Sequence, residues 1–479
     1  MLMLVVLRWD YRENNYKFMK ESIFKAYDVR GIYPSEIAEV DAYKIAKAYC
    51  EFVRPTEVVI GCDVRLSSSM LKRAAIKAVT DAGIRVIDVG EISTDMLYFA
   101  VANYGYSGGL SLTASHNPRE YNGMKCVREN SKPISIDSGL LEIRDIAMQM
   151  EIHGDVLQGE LDESLVEKKD ILADYVIKIK TFADFSKFKN FKIVANTNFG
   201  VAGRTLEKLL EGTNISIEKL NYEPDGTFPK GRPDPLVPEN RSETSNLVRA
   251  FRADFGVAWD SCAERCFFFT NEGEFIEGYF MTALLAKIFL QRPRRRVTDS
   301  QQEKIIHDTR LTWAIEDVVA ANGGIDVVTK AGHSFIKERM RKENSVFGGE
   351  MTAHYYFRDY FFCDNGMIPL VMMLEFLSKQ EKTLSEIMHE MFWHKYFVSG
   401  EISMYVANVQ AIIAKAKELY VPGAVRVDEI DGISIDHADW RFNFRGSNTE
   451  PVIRLNVEAR SQELMEKKTK EIVTLINNF

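Results

Sequence analysis

The string Thr113-Ala114-Ser115-His116-Asn117-Pro118 closes a short apolar run at 109–112 and leads into Tyr121-Asn122-Gly123-Met124-Lys125. A serine at a strand end, in a loop closed by Asn-Pro, presents its hydroxyl outward. His116 and Lys125 beside it would supply proton transfer and positive charge for a phosphoryl group. Taken alone, Ser-His in a polar turn is an N-capping serine, so the chemistry needs the longer string. A second candidate is Arg445-Gly446-Ser447-Asn448-Thr449-Glu450-Pro451. One guanidinium, two hydroxyls and an amide in one turn, helped by backbone N–H groups, suit a dianionic phosphate.

Both loops need strands to aim them. One pattern occurs three times along the chain. Val58-Val59-Ile60 is a short apolar run, 70–82 has helical spacing, Gly83 ends it and 84–89 is a second apolar run. The second copy has strands at 193–195 and 215–220 around a helix at 204–211. The third has strands at 305–306 and 327–328 around a helix at 313–321. Strand–helix–strand units with short connections build right-handed crossovers in a parallel or mixed sheet. Anions and ligands bind at the strand ends and helix starts of such units. The last hundred residues differ: helices at 407–420 and 464–476 enclose alternating strands at 425–427, 433–435, 440–444 and 452–457. That spacing predicts a smaller α+β domain. The stretch 224–238 is rich in Pro and Gly and is read as an irregular surface loop.

Composition limits the partners. The chain has 479 residues, 46% hydrophobic and 27% charged, enough for three or four domains that each bury a core. A formal charge of −8 without a basic stripe argues against nucleic acid. The apolar start, Met1 to Leu7, is too short to span a membrane and lacks the flanks of a signal peptide, so no membrane is expected. Residues 1–18 are read as a loose tail, with the functional protein starting near Met19; deleting them is expected to leave stability and activity unchanged. The six cysteines form no CxxC pair and are read as reduced thiols of a cytoplasmic protein.

Thr-Ala-Ser-His-Asn-Pro followed by Tyr-Asn-Gly-x-Lys resembles the phosphoserine loop of the α-D-phosphohexomutases, and the likeness extends along nearly the whole chain from Phe24. Lys25-Ala26-Tyr27-Asp28-Val29-Arg30-Gly31 is similar to the family's N-terminal signature, and Gly61-Cys62-Asp63-Val64-Arg65-Leu66-Ser67 to its next segment. Lys330-Ala331-Gly332-His333-Ser334 and Gly348-Gly349-Glu350-Met351-Thr352-Ala353-His354 resemble two substrate loops. The resemblance implies a heart-shaped, four-domain enzyme: three related α/β modules at 19–165, 166–272 and 273–392, and a C-terminal α+β phosphate-binding domain at 393–479. It implies a phosphomannomutase/phosphoglucomutase working through a phosphoserine and a 1,6-bisphosphate, with glucose or mannose 1,6-bisphosphate as activator. It assigns Ser115, His116, Lys125, Arg30 and Arg265 to phosphoryl transfer. It assigns Tyr27, Arg310, His333, Glu350, Thr352, His354, Arg445, Ser447, Asn448 and Thr449 to the hexose phosphate. Met351 argues for mannose or glucose rather than a glucosamine phosphate. A monomer or homodimer is expected.

One segment departs from the pattern. The family has Asp-Gly-Asp-x-Asp-Arg, whose carboxylates hold Mg²⁺ with a phosphoserine oxygen; here stands Asp260-Ser261-Cys262-Ala263-Glu264-Arg265. The resemblance puts Ser115, Asp260, Cys262 and Glu264 at the metal. A thiol is a soft partner for Mg²⁺, and Glu264 is one methylene longer than Asp. Weaker Mg²⁺ binding is therefore expected, with Asp260 and Glu264 as remaining ligands. A non-catalytic or weakly active hexose-phosphate-binding relative is the alternative reading.

Overall fold

The computed structural model describes residues 19–152, 154–292, 302–446 and 452–478. The reading of residues 1–18, and those of Ser447, Asn448 and Thr449, lie outside the described residues.

Three sheets repeat one topology. In the first, Val29–Ile32 pairs antiparallel with Tyr121–Arg128, which pairs antiparallel with Gly108–Leu112. Parallel strands Glu57–Cys62 and Arg85–Glu91 follow. The second runs Phe275–Ile276, Cys266–Phe269, Phe255–Trp259, Lys192–Asn196, Ser216–Leu220. The third runs Cys363–Asp364, Tyr355–Phe357, Phe347–Gly349, Lys304–Asp308, Ile325–Thr329. Gly108–Leu112, Phe255–Trp259 and Phe347–Gly349 are buried at every residue. Such strands read as continuous apolar runs because helices cover both faces. The predicted helices form at Ser68–Thr80, Ala202–Leu210 and Trp313–Ala321.

The first sheet continues three residues past 165: Val166–Lys168 pairs parallel with Arg85–Glu91. The expectation of one core per domain is corrected. One side of the first module and the second and third modules share a continuous apolar core, from Val59 and Leu97 through Ile193 and Leu284 to Phe392. The long, mostly apolar helix Gly278–Leu290 packs on the helix Trp313–Ala321, and Phe289 stacks on Phe347 with ring centroids 5.2 Å apart. Fusing cores this way buries more apolar area than separate ones.

The fourth domain shows how a period of two orients a sheet. Ile433, Ile435, Phe442, Phe444, Ile453, Leu455 and Val457 lie on one face, under the helices Val409–Tyr420 and Gln462–Asn477. Ser434, Arg441, Asn443, Asn456 and Glu458 alternate with them and are also buried. That polar face docks on the third module. Arg441 Nη1 donates to the Arg310 carbonyl at 2.8 Å and Nη2 to the Thr309 carbonyl at 3.1 Å. Glu458 accepts from Tyr279 and from the backbone N–H groups of Thr312 and Trp313.

Every module therefore offers the same loop, the hairpin after its central buried strand: residues 113–120, 260–265 and 350–354. In the fourth domain the corresponding hairpin joins Trp440–Gly446 to Val452–Ala459. Truncating Phe347→Ala in the fused core is expected to cost about 3–5 kcal/mol, read as a lower urea midpoint with an unchanged slope.

Candidate functional site

Ser115 is buried and sits at φ +49°, in the left-handed region that only an over-determined backbone maintains in a serine. Arg65 is the main reason. Its Nη2 donates to the carbonyls of Ser115 at 2.5 Å and Asn117 at 2.6 Å, and its Nη1 to those of Pro118 at 2.7 Å and Tyr121 at 2.9 Å. Asp63 accepts from the Thr113 hydroxyl at 2.6 Å, and Thr113 Oγ1 in turn accepts from the Ser115 N–H at 2.9 Å. The sequence presents Arg65 and Asp63 only as parts of a string; in the fold they staple the loop.

The hairpin 260–265 meets Ser115 from the second module. Ser115 Oγ donates to Asp260 Oδ2 at 2.8 Å and lies 3.2 Å from both His116 Nδ1 and Cys262 Sγ. The Ser261 hydroxyl donates to the Ser115 carbonyl at 2.7 Å. Arg265 holds Asp260 through its N–H at 3.2 Å and its Nε at 3.1 Å, and its Nη1 lies 3.3 Å from Asp234. Its buried Nη2 has no partner. Glu264 does not face Ser115: one oxygen accepts from the Tyr98 hydroxyl at 2.9 Å and the other from the buried Lys125 ammonium. The left-handed turn of this loop falls on Ala263, φ +55°.

Electrostatics follows from burial and pairing. Burial, then Arg265 and Arg30, push His116 well below its usual range, so its ring is neutral. Burial opposes the charges of Lys125 and Glu264, but each holds the other ionised: Lys125 is raised and Glu264 lowered. Burial, with Asp260 and Glu264, pushes the Cys262 thiol well above its usual range. Arg30 is held by both oxygens of Asp28 and donates to the Asn117 side chain at 2.6 Å, two residues beyond Ser115.

A second cluster faces the same space from the third module. Glu350 accepts from Thr352 Oγ1 at 3.0 Å, from the Tyr356 hydroxyl, and from Arg310 Nη2 at 3.3 Å. Asp308 grips Arg310 with both oxygens at 2.8 Å. Although burial opposes its charge, that pairing lowers its pKa to about 2. His354 Nδ1 lies 2.8 Å from Asp364, whose other oxygen pairs with Lys337 at 2.7 Å. His333 is edge-on to Tyr27 at 5.3 Å, and both its ring nitrogens are buried without a partner. The Tyr27 hydroxyl donates to the Ala331 carbonyl at 3.0 Å, and burial raises its pKa to about 12. Glu401 of the fourth domain gathers Arg310 at 3.7 Å, Arg445 at 3.3 Å and Arg454 at 3.3 Å. Arg445 Nε is buried without a partner.

Profiles of the phosphoglucomutase/phosphomannomutase family match four consecutive segments: α/β/α domains I, II and III at residues 21–151, 173–273 and 277–396, and the C-terminal domain at 399–475. The chain belongs to this family. It is 43% identical over 460 residues to an Escherichia coli phosphomannomutase, covering 95% of this chain and 98% of that protein. A phosphoglucomutase/phosphomannomutase family protein from Burkholderia thailandensis superposes with a TM-score of 0.81 at 26% identity, covering 96% and 98% of the two chains. A more distant N-acetylphosphoglucosamine mutase of Aspergillus fumigatus, 13% identical with a TM-score of 0.60 over 95% of each chain, was solved with GlcNAc-6P and magnesium.

The family's metal loop is where this member differs. The expected ligand pair of Asp260 and Glu264 is not assembled, because Lys125 and Tyr98 take both Glu264 oxygens. Cys262 brings a buried neutral thiol, and Asp260 is covered by Arg265. Among the described residues no three Asp, Glu, His or Cys side chains converge to hold a metal. As placed, this donor set does not fit a hard octahedral cation.

Tyr98, Asp234, Tyr356, Asp364 and Glu401 also belong to the site, and sequence reading missed them. Only Asp234 has a local signal, the Pro/Gly-rich stretch around it, and such a stretch reads as surface. It instead reaches the site, where Arg232 Nε donates to the His116 carbonyl at 3.0 Å.

The substitution Arg65→Met removes four carbonyl contacts and is expected to cost roughly 2–4 kcal/mol, with faster amide exchange confined first to residues 113–121. The folded pKa of Asp308 lies below its unfolded value. Its stabilisation is therefore full above about pH 4 and lost as pH falls toward 2. Asp308→Asn should flatten the acid limb of the Tm–pH curve in that window.

Proposed function

We propose that this protein interconverts hexose 1-phosphates and hexose 6-phosphates, mannose first and glucose second, through a phosphoserine at Ser115 and a bound 1,6-bisphosphate. The observation that carries this is the Ser115 hydroxyl itself: buried, held at positive φ, bonded to Asp260 and 3.2 Å from the neutral His116, beside an arginine with an unused N–H.

Glucose or mannose 1,6-bisphosphate would load Ser115. The phosphoserine P–O bond then breaks as a P–O bond forms to the free hydroxyl of a hexose phosphate. The hydroxyl proton finishes on Ser115 Oγ, and neutral His116 is placed to carry it. Arg265 Nη2 has a free N–H for the transferring oxygens, where catalysis is positioning and charge compensation. Glu350, held from three sides, accepts a pair of sugar hydroxyls in either orientation of the bisphosphate. Arg445, with Ser447, Asn448 and Thr449, would take the phosphate that is not reacting, and His333 has both nitrogens free for the substrate. The residues 260–265 do not fit Mg²⁺ as placed, and no step here passes through a metal. No observation favours the non-catalytic alternative.

Ser115→Ala is expected to abolish mannose 1-phosphate turnover in a coupled assay and to abolish ³²P labelling of the protein by labelled glucose 1,6-bisphosphate. Labelling that persists in the variant would remove Ser115 from the mechanism. Glu350→Gln, which keeps the shape but weakens the acceptor, should lower kcat/KM by about 10–100-fold.

A further inference from the structure

Resting on the mutase reading above, we infer that phosphoryl transfer at Ser115 requires no divalent cation in this protein, because the Lys125 ammonium fixed by Glu264 supplies that positive charge from within the fold.

Charge closure is the first argument. The loop offers two carboxylates, Asp260 and Glu264, and each already has a fixed, buried cation, Arg265 and Lys125. A divalent cation entering here would sit beside a fixed ammonium and a fixed guanidinium, and like charges repel strongly in a buried site. The second argument is occupancy. Both Glu264 oxygens are already engaged, one by Tyr98 and the other by Lys125 and Cys262 Sγ. The third is the middle donor. Cys262 Sγ lies 3.2 Å from Ser115 Oγ, 3.5 Å from Asp260 Oδ2 and 3.3 Å from Glu264 Oε2, filling the centre of the loop with a soft atom.

The same contacts place the replacement. Lys125 bonds the Glu264 oxygen that touches Cys262, and Cys262 Sγ in turn touches Ser115 Oγ, so the ammonium is linked to the serine through two contacts. In the transfer one P–O bond breaks at Ser115 and one forms at the sugar hydroxyl. The proton passes from that hydroxyl to Ser115 Oγ, and no other reactant is consumed. What the site must provide is positive charge around the three peripheral oxygens. Arg265, whose Nη2 is unpartnered, shares Asp260 Oδ2 with Ser115 Oγ, and Lys125 stands behind Glu264 and Cys262; both charges are fixed without a metal.

The test uses the full-length protein stripped with EDTA. Ser115 labelling from ³²P glucose 1,6-bisphosphate is followed by rapid quench in EDTA and in Mg²⁺, and Mn²⁺ binding is titrated by EPR. The labelling rates should agree within about twofold, and no stoichiometric Mn²⁺ should bind below roughly millimolar concentration. A Cys262→Asp, Glu264→Asp double variant should gain a Mn²⁺ site and EDTA sensitivity together. A fall of about a hundredfold in EDTA, restored by Mg²⁺, overturns the inference. So does stoichiometric micromolar Mn²⁺ binding by the wild type. Wild-type measurements alone support or overturn it, whether or not the double variant folds. If Ser115 takes no label in either buffer, the mutase reading has failed. The Mn²⁺ titration then still decides the loop's fitness for a metal.

Discussion

A buried carboxylate is stable only against a fixed cation, and the hairpin 260–265 carries two. Arg265 answers Asp260 from the same loop, whereas Lys125 answers Glu264 from the first module. Because that second pair crosses a module boundary, it sets the distance between the Ser115 loop and the loop that faces it. The third module is tied to the same turn. The Cys266 N–H donates to the Ala353 carbonyl at 3.2 Å, Arg265 and His354 form an isolated bridge, and the Trp259 indole donates to the Gly366 carbonyl at 2.8 Å. Removing either charge of the cross-module pair would leave the other buried and unpaired, so the pairing constrains three domains at once.

The repeated topology explains why these loops meet. Each module ends its central buried strand in a hairpin, and the three hairpins are presented at equivalent edges of their sheets. Each also holds one non-glycine residue at positive φ: Ser115 at +49°, Ala263 at +55° and Ala353 at +64°. Strain of this kind persists only where neighbours over-determine the backbone. Arg65 does so for the first hairpin. Cross-module carbonyl contacts involving Ser261 and Ala353 do so for the others.

The contact between the third module and the fourth domain gathers charges of the other sign. Arg310, Arg445 and Arg454 converge there, and Glu401 contacts all three. Asp308 and Glu350 also bond Arg310, and Asp431 lies 3.9 Å from Arg445, so carboxylates hold these guanidiniums in fixed positions. Arg445 retains a buried, unpartnered N–H. Arg441 and Glu458, on the polar face of the fourth sheet, hold that sheet against the loop carrying Arg310.

Local pattern carries most of the architecture. The apolar runs at 58–60, 193–195 and 305–306 with their following helices lie within the observed strands and helices to within a few residues, because period and turn residues act locally. The Ser115 string, the Glu350 loop and Arg445 are legible for the same reason: their chemistry is contiguous in the chain. The alternating ligand positions of a metal loop are also legible in the string, and there the spacing misleads. What Asp260, Cys262 and Glu264 do depends on Lys125 and Tyr98, which lie well over a hundred residues away in the chain. Ion pairing in a buried site is decided by which charges arrive nearest, and only the tertiary structure brings Lys125 to Glu264 and closes Arg265 on Asp260. The core fused across the first three modules, and the inward reach of the 224–238 loop to Asp234, have the same cause: both are set by contacts between elements that no local period encodes.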